Sequence, residues 1–311
     1  MSSKWTAEQI PDQSGRTAIV TGANSGLGLI VARELARAGA HVILTSRDAG
    51  KGAKALDTIN AVHPVGKVEV ASLDLANLAS VRAFAQGFLA GGQQLDLLIN
   101  NAGVMAAPHS RTADGFELQF GTNHLGHFAL TGLLMPALKE RPGTRVVTVS
   151  SNNHKAGQMH LDDLQGEKHY ARWGAYAQSK LANLLFTFEL DRRLKAAGLP
   201  MIAVAAHPGY SATNLQMSGP GPELRIFMRL ANRFMAQSAE IGALPILYAA
   251  TYPDLAGGSY VGPDGRGEMH GYPTLVQPSD RAKDVEVARR LWEISETLTG
   301  VRYNMPQPAR A

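Results

Sequence analysis

The stretch Thr17-Ala-Ile-Val-Thr-Gly-Ala-Asn-Ser-Gly-Leu-Gly28 decides the fold. It begins as a short β-branched run, passes through three glycines spaced Gly-x-x-x-Gly-x-Gly, and leads into an apolar helical pattern over Leu27–Ala38. Glycines at such a turn let the backbone approach a pyrophosphate at the helix N-terminus, although they also permit a tight turn without a ligand. The strand, the turn and the helix in succession favour nucleotide binding.

Short β-branched runs alternate with helical patterns from residue 17 onward. Because strands separated by helices form parallel sheets, this order predicts a doubly wound, three-layer α/β/α fold of the Rossmann type. Gly39 is predicted to end the first helix, and another helix is predicted over Asn77–Leu89. The predicted strands are Thr17–Thr21, His41–Thr45, Lys67–Val70, Leu95–Ile99, Thr144–Val149 and Met201–Ala205.

No internal repeat or low-complexity linker divides the 311 residues. We therefore predict a single domain over residues 15–311, preceded by an N-terminal extension at 1–14 and containing a C-terminal extension after about residue 266. An amphipathic segment at about 214–237 is rich in Met and Phe and is expected to cover the site. Its apolar face either lines a lipophilic pocket or packs on the protein's own core.

Composition excludes several classes of function. The chain has no cysteine, so it contains no disulfide, thiol nucleophile or thiolate metal site. The net charge is +4 and the pI near 9.3, but the basic residues are dispersed among acidic ones, so we expect no nucleic-acid partner. Since no signal-peptide pattern or long apolar stretch is present, we expect a soluble cytoplasmic protein without a membrane span.

A phenol and an ammonium group are four residues apart in Tyr176-Ala-Gln-Ser-Lys180. On a helix, this spacing brings both side chains to one face. The positive charge favours the phenolate, at ~1.4 kcal/mol per unit of pKa shift, and can make the tyrosine an acid and base near neutral pH. The same spacing also arises by chance on solvated helices, so its meaning depends on its context.

The chain resembles the short-chain dehydrogenase/reductase family over about residues 15–265. The resemblance rests on the glycine spacing, on the Tyr-x-x-x-Lys pair and on four further motifs. The residues of these motifs are similar to those of the retinol-dehydrogenase-like branch, which includes the WW-domain oxidoreductases. The further motifs are Asn100-Asn-Ala-Gly103, Thr122-Asn-His-Leu-Gly-His127, Ser150-Ser151, and Pro208-Gly209 followed by Thr213.

The resemblance implies a catalytic set of four residues. Tyr176 is the proton donor to the substrate oxygen and the base in the reverse direction. Lys180 favours the phenolate and holds the ribose hydroxyls of the cofactor. Ser151, rather than Ser150, binds the substrate oxygen, because it lies 25 residues before the tyrosine as in this branch. Asn123 positions a water that links the lysine to solvent.

The resemblance also implies the contacts to a nicotinamide dinucleotide. The glycine loop binds the diphosphate, Asp74 and Leu75 seat the adenine, and the loop after the sixth strand binds the nicotinamide carboxamide. An alternative for Asp74 is a cap of the following helix. The remaining residues implied as contacts are Gly22, Asn24, Ser25, Gly26, Leu27, Gly28, Asn101, Ala102, Gly103, Pro208, Gly209, Ser211 and Thr213.

The end of the second strand predicts which cofactor is used. An acidic residue there would bind a ribose 2′-hydroxyl, whereas Ser46 with Arg47 suits a 2′-phosphate. Asp48 is interpreted as the N-cap of the next helix, and the alternative for the arginine is a solvated surface position. The sequence therefore favours NADP (NADPH) over NAD.

Ten histidines raise the possibility of a metal site, especially His124-x-x-His127, which places two imidazoles on one helix face. The resemblance argues against it, because this pair falls inside a family motif that binds no metal. His154, His160 and His169 are scattered over a polar loop, within the insertion Asn152–Trp173 that can form another wall of the site. We therefore predict no metal.

The sequence leads to an NADP-dependent oxidoreductase that interconverts a carbonyl and an alcohol on a lipophilic small molecule. One alternative is a nucleotide sensor or interaction protein with little turnover, but such proteins usually lose a catalytic residue. An epimerase or dehydratase is disfavoured by the glycine spacing. We also predict a homodimer or homotetramer, formed through the helices of Asn123 and Tyr176, where an apolar run is present. That run is Leu181, Leu184, Leu185 and Phe188.

Overall fold

The computed structural model describes residues 4–138, 140–210 and 237–305. They form one sheet of eight strands in the order β3-β2-β1-β4-β5-β6-β7-β8. The strands β1 to β7 are parallel, and β8 pairs with β7 in the antiparallel sense. The strands are β1 (Thr17–Val20), β2 (His41–Ser46), β3 (Val68–Ser72), β4 (Leu97–Asn100), β5 (Arg145–Val149), β6 (Ile202–Ala206), β7 (Tyr260–Pro263) and β8 (Pro273–Leu275).

Helices cover both faces of the sheet, as the alternation of elements predicted. Because successive side chains of a strand point to opposite faces, Val20 of β1 packs in the core beneath α1, α2 and α7, while Ile19 packs beneath α3, α5 and α6. The helices are α1 (Gly26–Arg37), α2 (Ala49–Asn60), α3 (Leu78–Ala90), α4 (Leu118–Phe120), α5 (Gly126–Leu134), α6 (Arg172–Ala196), α7 (Ala239–Thr251) and α8 (Val285–Thr299). No helix in the described ranges combines the length and apolarity needed to cross a bilayer.

Side chains of Asp48 and Asn77 define where helices α2 and α3 begin. The Asp48 carboxylate accepts a hydrogen bond from the backbone N–H of Lys51 at 2.9 Å, so its predicted role as the N-cap of α2 is confirmed. Asn77 caps α3 in the same way. Gly39 has φ +100 and follows α1, as expected for a residue that ends a helix in the left-handed region.

Helix α8 packs along α6, where the sequence predicted a contact between copies of the chain. Its residues Leu291 and Trp292 are buried, and the cluster around Leu291 includes Leu181, Leu184 and Leu185. These three leucines are at most 1% exposed within the single chain. Within the single chain, these leucines therefore belong to the core between α6 and α8.

The strand order reverses at β1, which pairs with β2 on one side and with β4 on the other. In open α/β sheets, a crevice forms outside the carboxyl ends of the strands at such a reversal. The glycine loop follows β1 there, and Asn101 follows β4. The fold therefore brings distant motifs to one edge.

Candidate active site

A cleft of about 1110 Å³ lies at this edge and brings together most of the predicted site residues. Asn123 lies behind its wall, while Ser211, Thr213 and the segment at about 214–237, except Gln237, lie outside the described residues. The predicted residues that line the cleft are Gly22, Asn24, Ser25, Gly26, Leu27, Gly28, Ser46, Arg47, Asp74, Leu75, Asn101, Ala102, Gly103, Ser151, Tyr176, Lys180, Pro208 and Gly209.

Two glycines of the loop are required by close packing as well as by any ligand. Gly22 has φ +63, and a Cβ placed there would lie 2.8 Å from the Cβ of Ala102. A Cβ on Gly28 would lie 2.5 Å from the Asn101 side-chain nitrogen. Ser25 precedes α1 without a side-chain cap, so the first N–H groups of the helix are left for an anion in the cleft. The residues present fit a dinucleotide diphosphate.

Thr21 ties the glycine loop to the end of β4, a role that the sequence analysis missed. Its hydroxyl oxygen accepts from the backbone N–H groups of Asn101 at 2.9 Å and Ala102 at 3.0 Å. The Asn101 amide returns a hydrogen bond to the Thr21 carbonyl oxygen at 2.8 Å. A threonine directly before the first glycine was the only sequence signal. These bonds fix the floor of the cleft.

Tyr176 lies near the start of α6 with its side chain almost fully buried. It packs with Met105 and Ala106, and its ring meets Trp173 edge-on with 6.2 Å between the centroids. Burial raises the pKa of the phenol to about 12, although a hydrogen bond with Ser151 lowers it. The phenol is therefore protonated at neutral pH.

Lys180 follows one turn later on α6, so the predicted placement of both residues on one helix is confirmed. Its ammonium group donates to the Val149 carbonyl oxygen at 3.0 Å and lies 5.8 Å from the centroid of the Tyr176 ring. Burial lowers the pKa of the lysine to about 8. Desolvation of the phenol dominates, so its pKa lies above the ordinary value of a tyrosine rather than near neutral pH.

The two adjacent serines have different surroundings. The buried Ser150 hydroxyl donates to the Lys180 carbonyl oxygen at 2.8 Å, so it holds β5 against α6. Ser151 is half-buried, shares a hydrogen bond with Tyr176 and accepts from the Asn153 N–H at 3.2 Å. Only the second hydroxyl is bonded to the phenol, which favours Ser151 as the candidate substrate ligand.

Asn123 lies in a π turn, Gly121–Leu125, of the kind often found at functional sites. Its buried amide accepts from the Val104 N–H at 2.7 Å and donates to the Val104 carbonyl oxygen at 2.9 Å. It also donates to the Ser179 hydroxyl oxygen at 2.9 Å. The side chain thus joins the loop after β4 to α6, next to Lys180.

Three cations lie at the opposite end of the cleft. Arg47, Lys51 and Lys54 are exposed and line the same wall, and the two lysines were not among the residues predicted from the sequence. Their spacing from the arginine along the start of α2 was the available signal. Ser46 is less free, because its hydroxyl donates to the Asp48 carbonyl oxygen at 2.8 Å. Asp48 lies 4.0 Å from the Lys51 ammonium group, and the three cations leave this end of the cleft with an excess of positive charge.

Asp74 also lines the cleft, and it does not cap α3, because Asn77 does. The alternative interpretation of this aspartate is therefore wrong. One of its carboxylate oxygens accepts from the Ala76 N–H at 3.0 Å. Its backbone N–H donates to the Ser80 hydroxyl at 3.0 Å. The carboxylate is thereby held at the cleft edge beside Leu75.

The histidines of the His-Leu-Gly-His motif bind different partners. The Nε2 atom of His124 lies 2.8 Å from the Ser295 hydroxyl, whereas that of His127 lies 2.9 Å from the Thr21 hydroxyl. Burial lowers their pKa values to about 3 and about 4 respectively. Within the described ranges, no three His, Asp or Glu side chains are grouped closely enough to hold a metal ion.

Comparison with known proteins gives concordant matches. A family model described as short chain dehydrogenase matches residues 16–221. Retinol dehydrogenase 12 of Mus musculus is 43% identical over 298 residues, covering 96% of this chain and 90% of that protein. Polyprenol dehydrogenase of Mus musculus is 43% identical over 297 residues, covering 94% and 86%.

Solved structures agree with these matches. The crystal structure of an uncharacterised protein from Mycobacterium paratuberculosis has 50% identity and a TM-score of 0.81, and the alignment covers 97% of this chain and 99% of that one. An NADP complex of RhlG from Pseudomonas aeruginosa has 25% identity and a TM-score of 0.64, with coverage of 83% and 98%. The chain therefore belongs to the short-chain dehydrogenase family, in its retinol-dehydrogenase-like branch, and is an NAD(P)-dependent oxidoreductase.

Proposed function

We propose that the protein uses NADP to interconvert a carbonyl and an alcohol on a lipophilic small molecule, with Tyr176 as the acid and base. The hydrogen bond between Tyr176 and Ser151, in a cleft shared with Lys180, is the observation that supports this proposal most. During reduction, the carbonyl oxygen of a substrate gains negative charge. A phenol that donates a proton, next to a second hydroxyl that donates a hydrogen bond, can stabilise that charge.

The proposed roles follow from the protonation states. Bound NADPH supplies the hydride. Ser151 donates a hydrogen bond to the substrate oxygen, and Tyr176, protonated at neutral pH with its pKa of about 12, gives that oxygen its proton. Lys180, whose pKa is about 8, is mostly cationic at pH 7 and stabilises the phenolate that remains. Reduction of a carbonyl needs the protonated phenol and is therefore favoured at neutral pH. Oxidation of an alcohol needs the phenolate as base, so its rate should rise with pH.

Preference for NADP is supported by the charges at the adenosine end of the cleft. Arg47, Lys51 and Lys54 are all exposed there. A guanidinium engages a phosphate with paired, charge-assisted hydrogen bonds, and two ammonium groups add attraction at short range. The related RhlG structure is an NADP complex, which is in keeping with this choice.

The lipophilic substrate is supported by the other end of the cleft and by the relatives. Met105, Trp173 and Met269 line the cleft, the first two packed against Tyr176, and Trp173 is 46% exposed. Apolar and aromatic linings suit apolar ligands. Two similar proteins are named for retinol and polyprenol, both long apolar alcohols.

The test is turnover by the purified full chain. NADPH is offered with long-chain aldehydes, retinoid aldehydes, ketones and quinones, and nicotinamide absorbance is followed. We expect oxidation of NADPH with at least one apolar carbonyl and none with the Tyr176→Phe variant. NADPH binding without turnover of any member of the panel would instead favour the cofactor-sensing alternative.

For assembly and location, we propose a cytoplasmic protein in which the leucines of α6 do not join copies of the chain. Leu181 and Leu184 of α6 are already covered by α8, so the apolar surface that a contact between copies needs is used internally. Cell fractionation tests the location, and sedimentation tests the assembly.

A further inference from the structure

Glu268 connects two loops that border the cleft. One of its carboxylate oxygens lies 3.1 Å from the Nε2 atom of the buried His207, which directly precedes Pro208 and Gly209. The other accepts from the Lys155 ammonium group at 2.8 Å, in the short helical turn that begins after Ser151. The Glu268 carboxylate therefore contacts two loops. One contains Gly209 and is proposed to bind the nicotinamide, and the other follows Ser151, the proposed ligand of the substrate oxygen.

The hydrogen bonds define the tautomer of His207. The Gly209 N–H donates to the Nδ1 atom at 3.3 Å, so Nδ1 carries no proton. The proton lies on Nε2, which then donates to Glu268. Because the imidazole is buried, its pKa is lowered, and the ring is neutral at physiological pH. A neutral ring with a fixed tautomer holds the Gly209 backbone through one nitrogen and Glu268 through the other.

The backbone around Glu268 reinforces both contacts. Glu268 has φ +57, a left-handed conformation that residues other than glycine rarely adopt. The next carbonyl oxygen, that of Met269, accepts from the Tyr210 N–H at 2.8 Å. The preceding one, that of Gly267, accepts from the Asn152 side chain at 2.7 Å. Three successive residues of one turn thus bind both borders of the cleft.

We propose that Glu268 is a positioning residue that sets the separation between the Gly209 loop and Ser151, through His207 on one side and Lys155 on the other. The inference rests on the proposed function in one respect, namely that these loops contact the cofactor and the substrate oxygen. The turn between β7 and β8 then acts on hydride transfer without touching the reacting atoms.

The arrangement makes the loop sensitive to acid. Protonation of His207 at Nδ1 removes the acceptor of the Gly209 N–H. Among the described residues, the titratable and charged groups that face the ring are Glu268, Lys155, His154 and Tyr260. The carboxylate favours the imidazolium and the ammonium group opposes it. Removing each in turn should therefore move the pKa of His207 in opposite directions.

The first measurement needs no turnover. Nitrogen NMR of the imidazoles in the full chain should show His207 as the Nε2–H tautomer. Its pKa should rise in Lys155→Met and fall in Glu268→Gln, and the Gly209 amide should exchange faster with solvent in Glu268→Ala than in wild type. An Nδ1–H tautomer, or a His207 pKa that neither variant changes, would overturn the inference whatever the enzyme's activity.

Kinetics give the second measurement. Glu268→Ala should raise the NADPH dissociation constant and lower kcat, each by about tenfold, because small displacements of reacting groups are costly. Glu268→Gln keeps the acceptor for His207 and should restore cofactor affinity more than kcat. The control is Glu286→Gln, which breaks an exposed ion pair with Arg289 on α8. Constants for Glu268→Ala equal to those of the control would contradict the inference, whereas a wild-type protein that fails to bind NADPH would contradict the proposed function.

Discussion

The ammonium group of Lys180 lies 5.8 Å from the centre of the Tyr176 ring and donates to the Val149 carbonyl oxygen. The lysine is therefore held by the sheet rather than by the phenol. In the described residues, burial keeps the phenol protonated and makes the lysine easier to deprotonate, with pKa values of about 12 and about 8. This pairing suits proton donation at neutral pH.

Replacing Tyr176 by Phe should remove turnover and preserve cofactor binding. The ring keeps its packing, but the proton donor is lost, and loss of an acid–base group costs roughly two to four orders of magnitude in rate. Steady-state kinetics and NADPH titration measure the two effects. Tyr303→Phe is the matched control, since it removes another buried hydroxyl, one that donates to the Phe128 carbonyl oxygen. More than about a tenth of wild-type activity in Tyr176→Phe would rule out the assignment.

Substitution of Ser151 should change the kinetics, whereas substitution of Ser150 should change the stability of the fold. Ser151→Ala should lower kcat by about tenfold or more, because it removes a hydrogen bond to the substrate oxygen. Ser150→Ala removes the bond to the Lys180 carbonyl oxygen and should lower the free energy of unfolding by about 1 kcal/mol. Kinetics and urea denaturation of both variants decide the matter. The reverse pattern would assign the substrate contact to Ser150.

NADPH should bind more tightly than NADH by about ten- to a hundredfold, because a charged hydrogen bond contributes about 1.5–3 kcal/mol. Arg47→Asp should invert the order, since a carboxylate repels the 2′-phosphate and accepts from the 2′-hydroxyl. Fluorescence titration gives the dissociation constants. Arg290→Asp is the control, as this arginine is exposed on α8. A preference for NADPH that survives Arg47→Asp would assign discrimination to Lys51 and Lys54.

Stability should fall as the pH drops below about 6.5, the ordinary pKa of histidine. The pKa values of the buried His124 and His127 are about 3 and about 4 in the folded chain. Between those values and 6.5, the unfolded chain binds more protons, so the free energy of unfolding rises with pH. The contribution is complete above about pH 6.5 and is lost progressively towards pH 3 to 4.

Urea denaturation between pH 4.5 and 7.5 measures this dependence. His124→Phe should flatten it, because the imidazole is surrounded by aromatic rings and its partner Ser295 keeps a hydrogen bond to the Leu291 carbonyl oxygen. His160→Gln, at an exposed histidine, should leave it unchanged. If the two variants show equal slopes, the acid sensitivity has another origin.

At micromolar concentration, the protein should sediment as a monomer, because α8 occupies the apolar face of α6. Phe188, which is only partly buried, is the member of the predicted run left near the surface. Analytical ultracentrifugation of wild type and Phe188→Glu measures this. A wild-type dimer that dissociates in the variant would restore the contact predicted from the sequence.

The sequence predicted most of the sheet because local patterns determine it. The β-branched runs of β1 to β6 and the capping residue Asp48 carry their signals within a few residues. Strands β7 and β8 were missed, since Tyr260–Pro263 contains Gly and Pro and β8 has only three residues. Such strands depend on pairing with a neighbouring strand rather than on a local pattern.

The candidate site was predictable where residues share a motif and not where the contact is distant. Tyr176 and Lys180 share one helix, so their spacing was sufficient. The contact of Glu268 with His207 spans 61 positions, and no local pattern indicates it. The pKa of the phenol also depends on its burial by segments that are distant in the chain, and no local sequence pattern predicts that burial.

Helix α8 and the residues after it have a consequence for synthesis of the chain. Tyr303 donates to the Phe128 carbonyl oxygen, and a Cβ on Gly132 would clash with its ring, so the end of the described chain closes tightly over α5. Residues 285–303 leave the ribosome after every strand of the sheet. Until then, the side of α6 that packs on α8 lacks this part of its cover. Truncation before residue 285 would leave this apolar side of α6 without its cover, and the truncated protein should bind chaperones and aggregate.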